Sequence, residues 1–370
     1  MSGLGRVVVG LSGGIDSSVA VLLLQKLGYE PVGLTLRLQP CNAESGAQRS
    51  CCGSDVAGAA AAVACQMGIR HYLLDCREIF EQRVLRPSWD DFSAGRTPNP
   101  CVLCNAVVRF DKLVEFADDL GAVAVATGHY ARLEKTAAGG LRLLRGVDPR
   151  KDQSYFLHAI PAALLARVIF PLGELTKDQV REIARSKGLL TAERRESQDV
   201  CFAGPEGHFA EYLRQHFDGA ARAGEIRTPD GKVIARHAGV HRFTIGQRRG
   251  LGVALGEPAR VSSIDPDSGE VIVTTAAGDL LQQDCTAADC RWIASVPAEG
   301  EELLAQIRYQ QKARPARVRT VSPGGGLVRV SFVEPVSAVT PGQWLVLYRG
   351  DEVVGGGIIE REIKATEKSE

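Results

Sequence analysis

Ser12-Gly13-Gly14-Ile15-Asp16-Ser17-Ser18 follows the apolar run at residues 6–11 and opens a stretch of helical spacing at 17–27. A strand end, a glycine turn and a helix start in that order offer an anion backbone N–H groups and the positive end of a helix. No Gly-Lys-Ser/Thr closes the loop, so it is not a Walker A motif, and residues 10–16 lack the Gly-x-Gly-x-x-Gly spacing of a dinucleotide fold. Outward from the loop, residues 31–38, 71–74 and 122–127 read as short buried strands. Residues 57–67 and 105–120 carry helical spacing, the latter through Val108, Phe110, Leu113, Phe116 and Leu120. This alternation predicts an α/β fold, a doubly wound and mostly parallel sheet with helices on both faces. Ligands gather at the carboxyl ends of such strands, where both the Ser12 loop and Thr127-Gly128-His129 fall.

After about Gly204 the pattern changes. Residues 208–216 predict one more helix, and from Gly224 turns punctuate β-rich runs at 271–275, 327–332 and 344–348. Small barrels or sandwiches are expected there. At 370 residues the chain exceeds a usual single core, and its composition, 45% apolar and 24% charged, is that of a globular protein. The expected domains are a catalytic one at 1–204, a small central one at 205–275 and a C-terminal β-barrel at 276–370. No secretory signal is visible and no apolar run approaches the ~20 residues that span a bilayer, so the expected location is cytoplasmic, with no membrane partner. Formal charge sums to zero, yet five basic residues and no acid lie between Lys232 and Arg249. Arg308, Lys312, Arg314, Arg317 and Arg319 form a second acid-free run. Local basic faces on a neutral body suit a polyanionic partner.

The ten cysteines are many for a chain kept reduced, where clustered thiols point to metal binding or catalysis. Cys65, Cys76, Cys285 and Cys290 stand apart and are expected as buried, inert thiols. In Thr97-Pro98-Asn99-Pro100-Cys101-Val102-Leu103-Cys104-Asn105 two prolines stiffen the approach to a helix expected to begin near Asn105. That reading puts Cys104 at a helix start, where the dipole favours the thiolate. The C-x-x-C fits a redox dithiol, half a zinc site or a catalytic pair. A structural zinc needs four ligands; no second C-x-x-C exists, and the adjacent Cys51 and Cys52 make a poor tetrahedral bite. Cys201, in Glu196-Ser197-Gln198-Asp199-Val200-Cys201-Phe202, is not marked by its neighbours alone.

Together these segments resemble the tRNA-specific 2-thiouridylases, a family of PP-loop ATP pyrophosphatases, along nearly the whole chain. Ser12–Ser18 resembles the family's ATP loop, residues 49–53 a segment common in its members, and residues 95–110 its G-R-T-P-N-P-x-x-x-C-N signature. Residues 127–132, 151–155, 197–202, 243–250 and 341–343 match further motifs. The resemblance implies a PP-loop/HUP-type domain followed by small β-rich domains. It implies ATP bound through Gly10, Leu11, Ser12, Gly13, Gly14, Ile15, Asp16 and Ser17, with Leu36 and Gly128 as further contacts and Mg²⁺ held partly by Asp16. The implied reaction adenylates O2 of the wobble uridine and replaces it with sulfur. Cys201 would carry a persulfide from a sulfur-donor or relay protein, and Cys104 would attack it, leaving a Cys104–Cys201 disulfide. That bond requires their Cα atoms within ~7 Å. The implied tRNA contacts, on the anticodon stem-loop, are Asn99, Pro100, Cys101, His129, Lys151, Asp152, Gln153, Arg308, Tyr309 and Gln343. Charge alone adds Lys312, Arg314 and Arg317.

One position departs from the family. Many members carry Asp where this chain has Cys101, so no carboxylate acts from there. Either a thiolate substitutes, or Cys101, Cys104 and Cys201 ligate a 4Fe–4S cluster with one iron free for sulfide. The rival enzymatic reading is another PP-loop adenylating ligase acting on RNA or a small molecule. A non-catalytic ATP-sensing module with an RNA-binding barrel is the alternative of a different class.

Overall fold

The computed structural model describes residues 3–39, 54–137, 139–193 and 209–361. Cys51, Cys52 and Cys201 lie outside the described residues. Two compact units are present. The first comprises Met1–Leu85, Pro100–Phe209 and Asp351–Val353, and the second Arg86–Asn99, Ala210–Gly350 and Val354–Glu370.

The first unit is built on a five-stranded sheet. Its central strand, β1 (Arg6–Gly10), pairs in parallel with β2 (Glu30–Arg37) and with a short strand at Ala124–Ala126. His71–Asp75 and Val168–Ile169 form the edges, again parallel; the first, expected as a buried strand, leaves Tyr72 and Leu73 exposed because it lies at the sheet edge. Val7, Val8 and Val9 are all buried, as an unbroken apolar run must be when helices cover both faces of a parallel sheet. On one side, Val7, Val9 and Leu11 pack with Val21 and Leu24 of α1 (Ile15–Lys26) and with Ala60 and Val63 of the helix Ser54–Gln66. A second cluster joins Ile15 and Val19 of α1 to Tyr130, Leu172 and Val180 and Ala184 of the helix Lys177–Ser186. The expected alternation is therefore present. An antiparallel hairpin, Ala131–Lys135 with Leu141–Arg145, was not expected; charged residues hide its alternation.

In the second unit, four strands (Arg260–Ile264, Val271–Thr274, Gly224–Arg227 and Val233–His237) enclose Ile226, Phe243, Val261, Val271 and Val273. A six-stranded antiparallel array runs from Leu281–Trp292 through Leu327–Ser337, Arg314–Val321, Glu302–Gln306 and Trp344–Arg349 to Glu352–Ile359. It closes on itself where Ala287 pairs with Ile359 and Trp292 with Gly355. Closure leaves no open edge, and Val328, Val330, Leu345, Leu347 and Val354 fill the interior. The final strand must be glycine-rich: a Cβ at Gly356 would stand 2.0 Å from the carbonyl oxygen of Leu345. Gly356→Ala is expected to lower unfolding stability by about 3 kcal/mol, read as a urea midpoint shift, because backbone is the colliding partner.

The thiols divide unevenly. Cys76 and Cys285 are buried and Cys290 half-buried, but Cys65 is exposed, contrary to the inert-core expectation. It sits on the solvent side of its helix, a face that alanines around it disguise as apolar. Among the described residues no helix is long and apolar enough to cross a membrane.

Candidate nucleotide and sulfur-transfer site

Residues 11–14 connect β1 to α1. The Leu11 N–H donates to the Leu34 carbonyl at 2.8 Å, tying the turn to β2. Inside the turn the Ser17 hydroxyl accepts from the Ser12 N–H at 3.3 Å and donates to the Gly14 carbonyl at 3.1 Å. The Ser12 and Ser17 hydroxyl oxygens are 3.2 Å apart. Gly14 stands at the N-cap of α1 and makes no side-chain capping hydrogen bond; an anion at such a helix start would meet backbone N–H groups. Gly13 has φ +65°, and a Cβ there would come within 2.8 Å of Ala59 Cβ and of the Ala60 nitrogen. Gly128 closes the turn from the neighbouring strand end: its added Cβ would meet the Asp16 carbonyl carbon and the Ser17 nitrogen at 2.8 Å.

Asp16 faces this turn with both oxygens engaged. Lys177 Nζ donates to Oδ1 at 2.7 Å and Oδ2 at 2.8 Å, and the Tyr130 hydroxyl donates to Oδ1 at 2.7 Å. In this state the carboxylate offers Mg²⁺ no oxygen that an ammonium does not already hold. Lys177, 3% exposed, was missed by sequence reasoning because nothing in Thr176–Gln179 but a capping box marks it. Tyr130 lies within the segment that matched the family, but no role was assigned to it.

Thr127 Oγ1 and His129 Nδ1 are 2.7 Å apart. Burial, helped by the Arg109 cation, pushes the His129 pKa down to about 3, so its imidazole is neutral throughout the physiological range. A buried, neutral ring is not a proton shuttle near pH 7.

The C-x-x-C corrects the sequence expectation. The helix begins at Pro100, not near Asn105; it runs through Cys104, takes a π-helical turn over Asn105–Arg109 and continues as Phe110–Asp119. Proline suits a first helical position, where its missing N–H costs nothing. Cys104 is therefore a full turn inside the helix, buried, and burial pushes its thiol up to about 11 against the opposing pull of Arg109. The dipole argument for a ready thiolate at Cys104 fails. Cys101 stands in the first turn, half-buried, on the same face three residues earlier. Asn105 donates to the Phe156 carbonyl at 3.2 Å, anchoring this helix to the turn Ser154–Phe156.

Just before that turn, Asp152 and Gln153 are occupied internally. Asp152 accepts from the Gly146 and Ser154 N–H groups, each at 3.0 Å, and from Arg145 at 3.2 Å; Gln153 Oε1 accepts from the Tyr130 N–H at 3.0 Å. Lys151 opens the same segment, half-buried, and Leu36 lies in β2.

Within the second unit a separate set converges on residues 97–99. Gln343 Nε2 donates to the Thr97 carbonyl at 2.9 Å and the Pro98 carbonyl at 3.3 Å, and Thr97 N–H donates to Pro341 at 2.8 Å. Arg308 donates to Thr340 Oγ1 at 3.2 Å, and Gln306 holds the Arg308 and Tyr309 carbonyls. Hydrogen bonds thus connect Arg308, Tyr309, Gln343 and the approach to the C-x-x-C. Lys312 and Arg314 are exposed, whereas Arg317 pairs with Glu302 at 2.6 Å and is already partly neutralised.

Residues 5–205 match the family model described as the tRNA methyl transferase HUP domain. Residues 210–275 match the tRNA methyl transferase PRC-barrel domain and residues 282–359 the Aminomethyltransferase beta-barrel domain. The chain is 44% identical over 369 residues to tRNA-specific 2-thiouridylase MnmA of Solibacter usitatus, covering 96% of this chain and 99% of that protein. It is 41% identical over 363 residues to the protein of the same name from Carboxydothermus hydrogenoformans, covering 97% and 98%. With such identity over nearly its whole length, the chain belongs to the tRNA-specific 2-thiouridylase family.

Proposed function

We propose that this chain thiolates the wobble uridine of tRNA at C2, using ATP to activate the oxygen it replaces. The observation that carries the reading is the near-full-length identity to 2-thiouridylases. The uncapped glycine turn beneath Gly128 is its structural counterpart, an anion site of the kind ATP phosphates need. Uridine O2 attacks the α-phosphorus, the bond to the bridging oxygen breaks, and pyrophosphate leaves with the electron pair. Carbon 2 then carries AMP as its leaving group. Cys201 bears the persulfide; the Cys104 thiolate attacks the Cys201 sulfur, hydrosulfide is released to C2, AMP departs, and a Cys104–Cys201 disulfide remains for an external thiol to reduce. Arg109, hydrogen-bonded to Cys104, favours the thiolate that burial opposes. The sulfur reaches Cys201 from a donor or relay protein in the cytoplasm.

Base and RNA contacts follow the same reading. Asn99, Pro100, Cys101, Lys151, Asp152 and Gln153 contact the tRNA near its target base, and His129, Arg308, Tyr309 and Gln343 are further tRNA contacts. The domains responsible are 1–204, 205–275 and 276–370. Mg²⁺ at Asp16 requires Lys177 to give up one carboxylate oxygen.

A second reading of the sulfur step is favoured by Cys101 and by the buried thiol of Cys104. Iron ligation deprotonates a thiol outright, removing the burial penalty on Cys104. Cys101, Cys104 and Cys201 would hold a 4Fe–4S cluster, which supplies an open iron site for sulfide. Cys101 and Cys104 fit as a pair on one helical face; among the described residues no group of three metal-binding side chains occurs. Anaerobic reconstitution is expected to give about four irons per chain, with visible absorption lost in Cys101→Ala, if the cluster is the carrier. Thiolation intact without iron establishes the persulfide route instead. Nucleoside mass spectrometry of the tRNA product tests the function itself, since sulfur-for-oxygen exchange and the methyl transfer named by two matched family models change the mass differently.

A further inference from the structure

We propose that Lys177 is a phosphate ligand of the ATP site, holding Asp16 until the nucleotide arrives and then turning to its pyrophosphate end. This rests on the ATP-loop reading above.

Lysine is almost never fully buried unless paired, and Lys177 is 3% exposed. The fold fixes its backbone and leaves only its side chain to move. Lys177 is the first residue of the helix Lys177–Ser186, its N–H held at 3.1 Å by the buried carboxylate of Asp148. Thr176 and Gln179 form a reciprocal cap at the same end. One turn on, Val180 and Ala184 pack against Ile15 and Val19 of α1. The helix carrying Lys177 is thus fastened to the helix carrying Asp16, and the ammonium lies one carboxylate away from the glycine turn. Asp16 itself is 34% exposed.

The exchange leaves no buried charge stranded. When the ammonium departs, the Tyr130 hydroxyl still donates to Asp16 Oδ1 at 2.7 Å, and Oδ2 becomes available to Mg²⁺. Lys177 meanwhile meets a phosphate oxygen, for which a compact ammonium is a suitable point charge. Without ATP the Asp16–Lys177 pair is neutral, so the empty loop carries no surplus charge. The proposal predicts a cation directed at leaving pyrophosphate, on which negative charge accumulates as AMP is transferred.

Equilibrium dialysis of labelled ATP and labelled AMP, with and without Mg²⁺, tests it on the full chain. Lys177→Met is expected to weaken ATP binding by about 30-fold or more. Its AMP binding stays as in the wild type, since AMP lacks the pyrophosphate. Lys177→Arg should keep most of the ATP affinity. The double variant Asp16→Asn, Lys177→Met restores charge balance, yet is expected to remain weak for ATP. Wild-type ATP affinity in Lys177→Met, equal loss of ATP and AMP, or recovery in the double variant would each overturn the proposal and leave Lys177 a structural ion pair. Failure of the wild-type chain to bind ATP would instead remove the loop reading, and this inference with it.

Discussion

Replacing Cys104 with Ser is expected to reduce 2-thiouridine formation by about 10⁴-fold while ATP binding is unchanged. The substitution exchanges sulfur for oxygen in a buried position beside Arg109, so the packing survives and only the thiol is lost. Both proposed routes for sulfur need this thiol, as attacking group or as iron ligand, and neither can use a hydroxyl. Liquid chromatography of digested tRNA gives the product yield, and a thermal melt confirms that the variant is folded. Residual thiolation within tenfold of wild type would remove Cys104 from the chemistry. The same burial predicts slow alkylation. With a thiol pKa near 11, the metal-free reduced chain holds little Cys104 thiolate at pH 7, and the alkylation rate is expected to rise about tenfold per pH unit between pH 7 and 9. Slow alkylation of Cys104 at pH 7 is the expected result for the reduced, metal-free chain.

Gly128→Ala is expected to weaken ATP binding by about 100-fold, measured by the same dialysis. The added methyl would sit 2.8 Å from the Asp16 carbonyl carbon and the Ser17 nitrogen, both backbone atoms of the first turn of α1. Neither can step aside as a side-chain end would, so the turn must shift as a unit, at a cost of about 2–3 kcal/mol. The same displacement moves the N–H groups that would face phosphate. By contrast, a Cβ at Gly10 meets only Thr127 and Leu113 side-chain carbons at 3.4 Å or more, so Gly10→Ala should change unfolding stability by less than about 1 kcal/mol. A loss of stability at Gly10 as large as that at Gly128 would contradict this account.

Much of the first unit was legible because its signals are local. An unbroken valine run followed by two glycines and hydroxyls specifies a buried strand and a glycine turn into a helix; the strand is present at Arg6–Gly10 and the turn at residues 11–14. The helix boundary at the thiols was misread because Pro98 and Pro100 look like a leader, whereas Pro100 is itself the first helical residue. The π-helical turn at Asn105–Arg109 has no sequence signature. Lys177 was hidden for a related reason. Its local context is that of a solvent-facing first turn, and only the register of two distant helices puts it on Asp16. Gln343 was legible as a functional candidate, but its grip on Thr97 and Pro98 is a long-range pairing that no window of sequence contains.

That grip sets a timetable for the newly made chain. Thr97 and Gln343 are 246 residues apart, and Arg96 meets Glu360 across 264. At ribosomal speeds the leader of the thiol helix waits roughly ten to fifty seconds for its holder to emerge. Until translation is nearly finished, the stretch that leads into the two thiols lacks the hydrogen bonds that hold it in the finished chain.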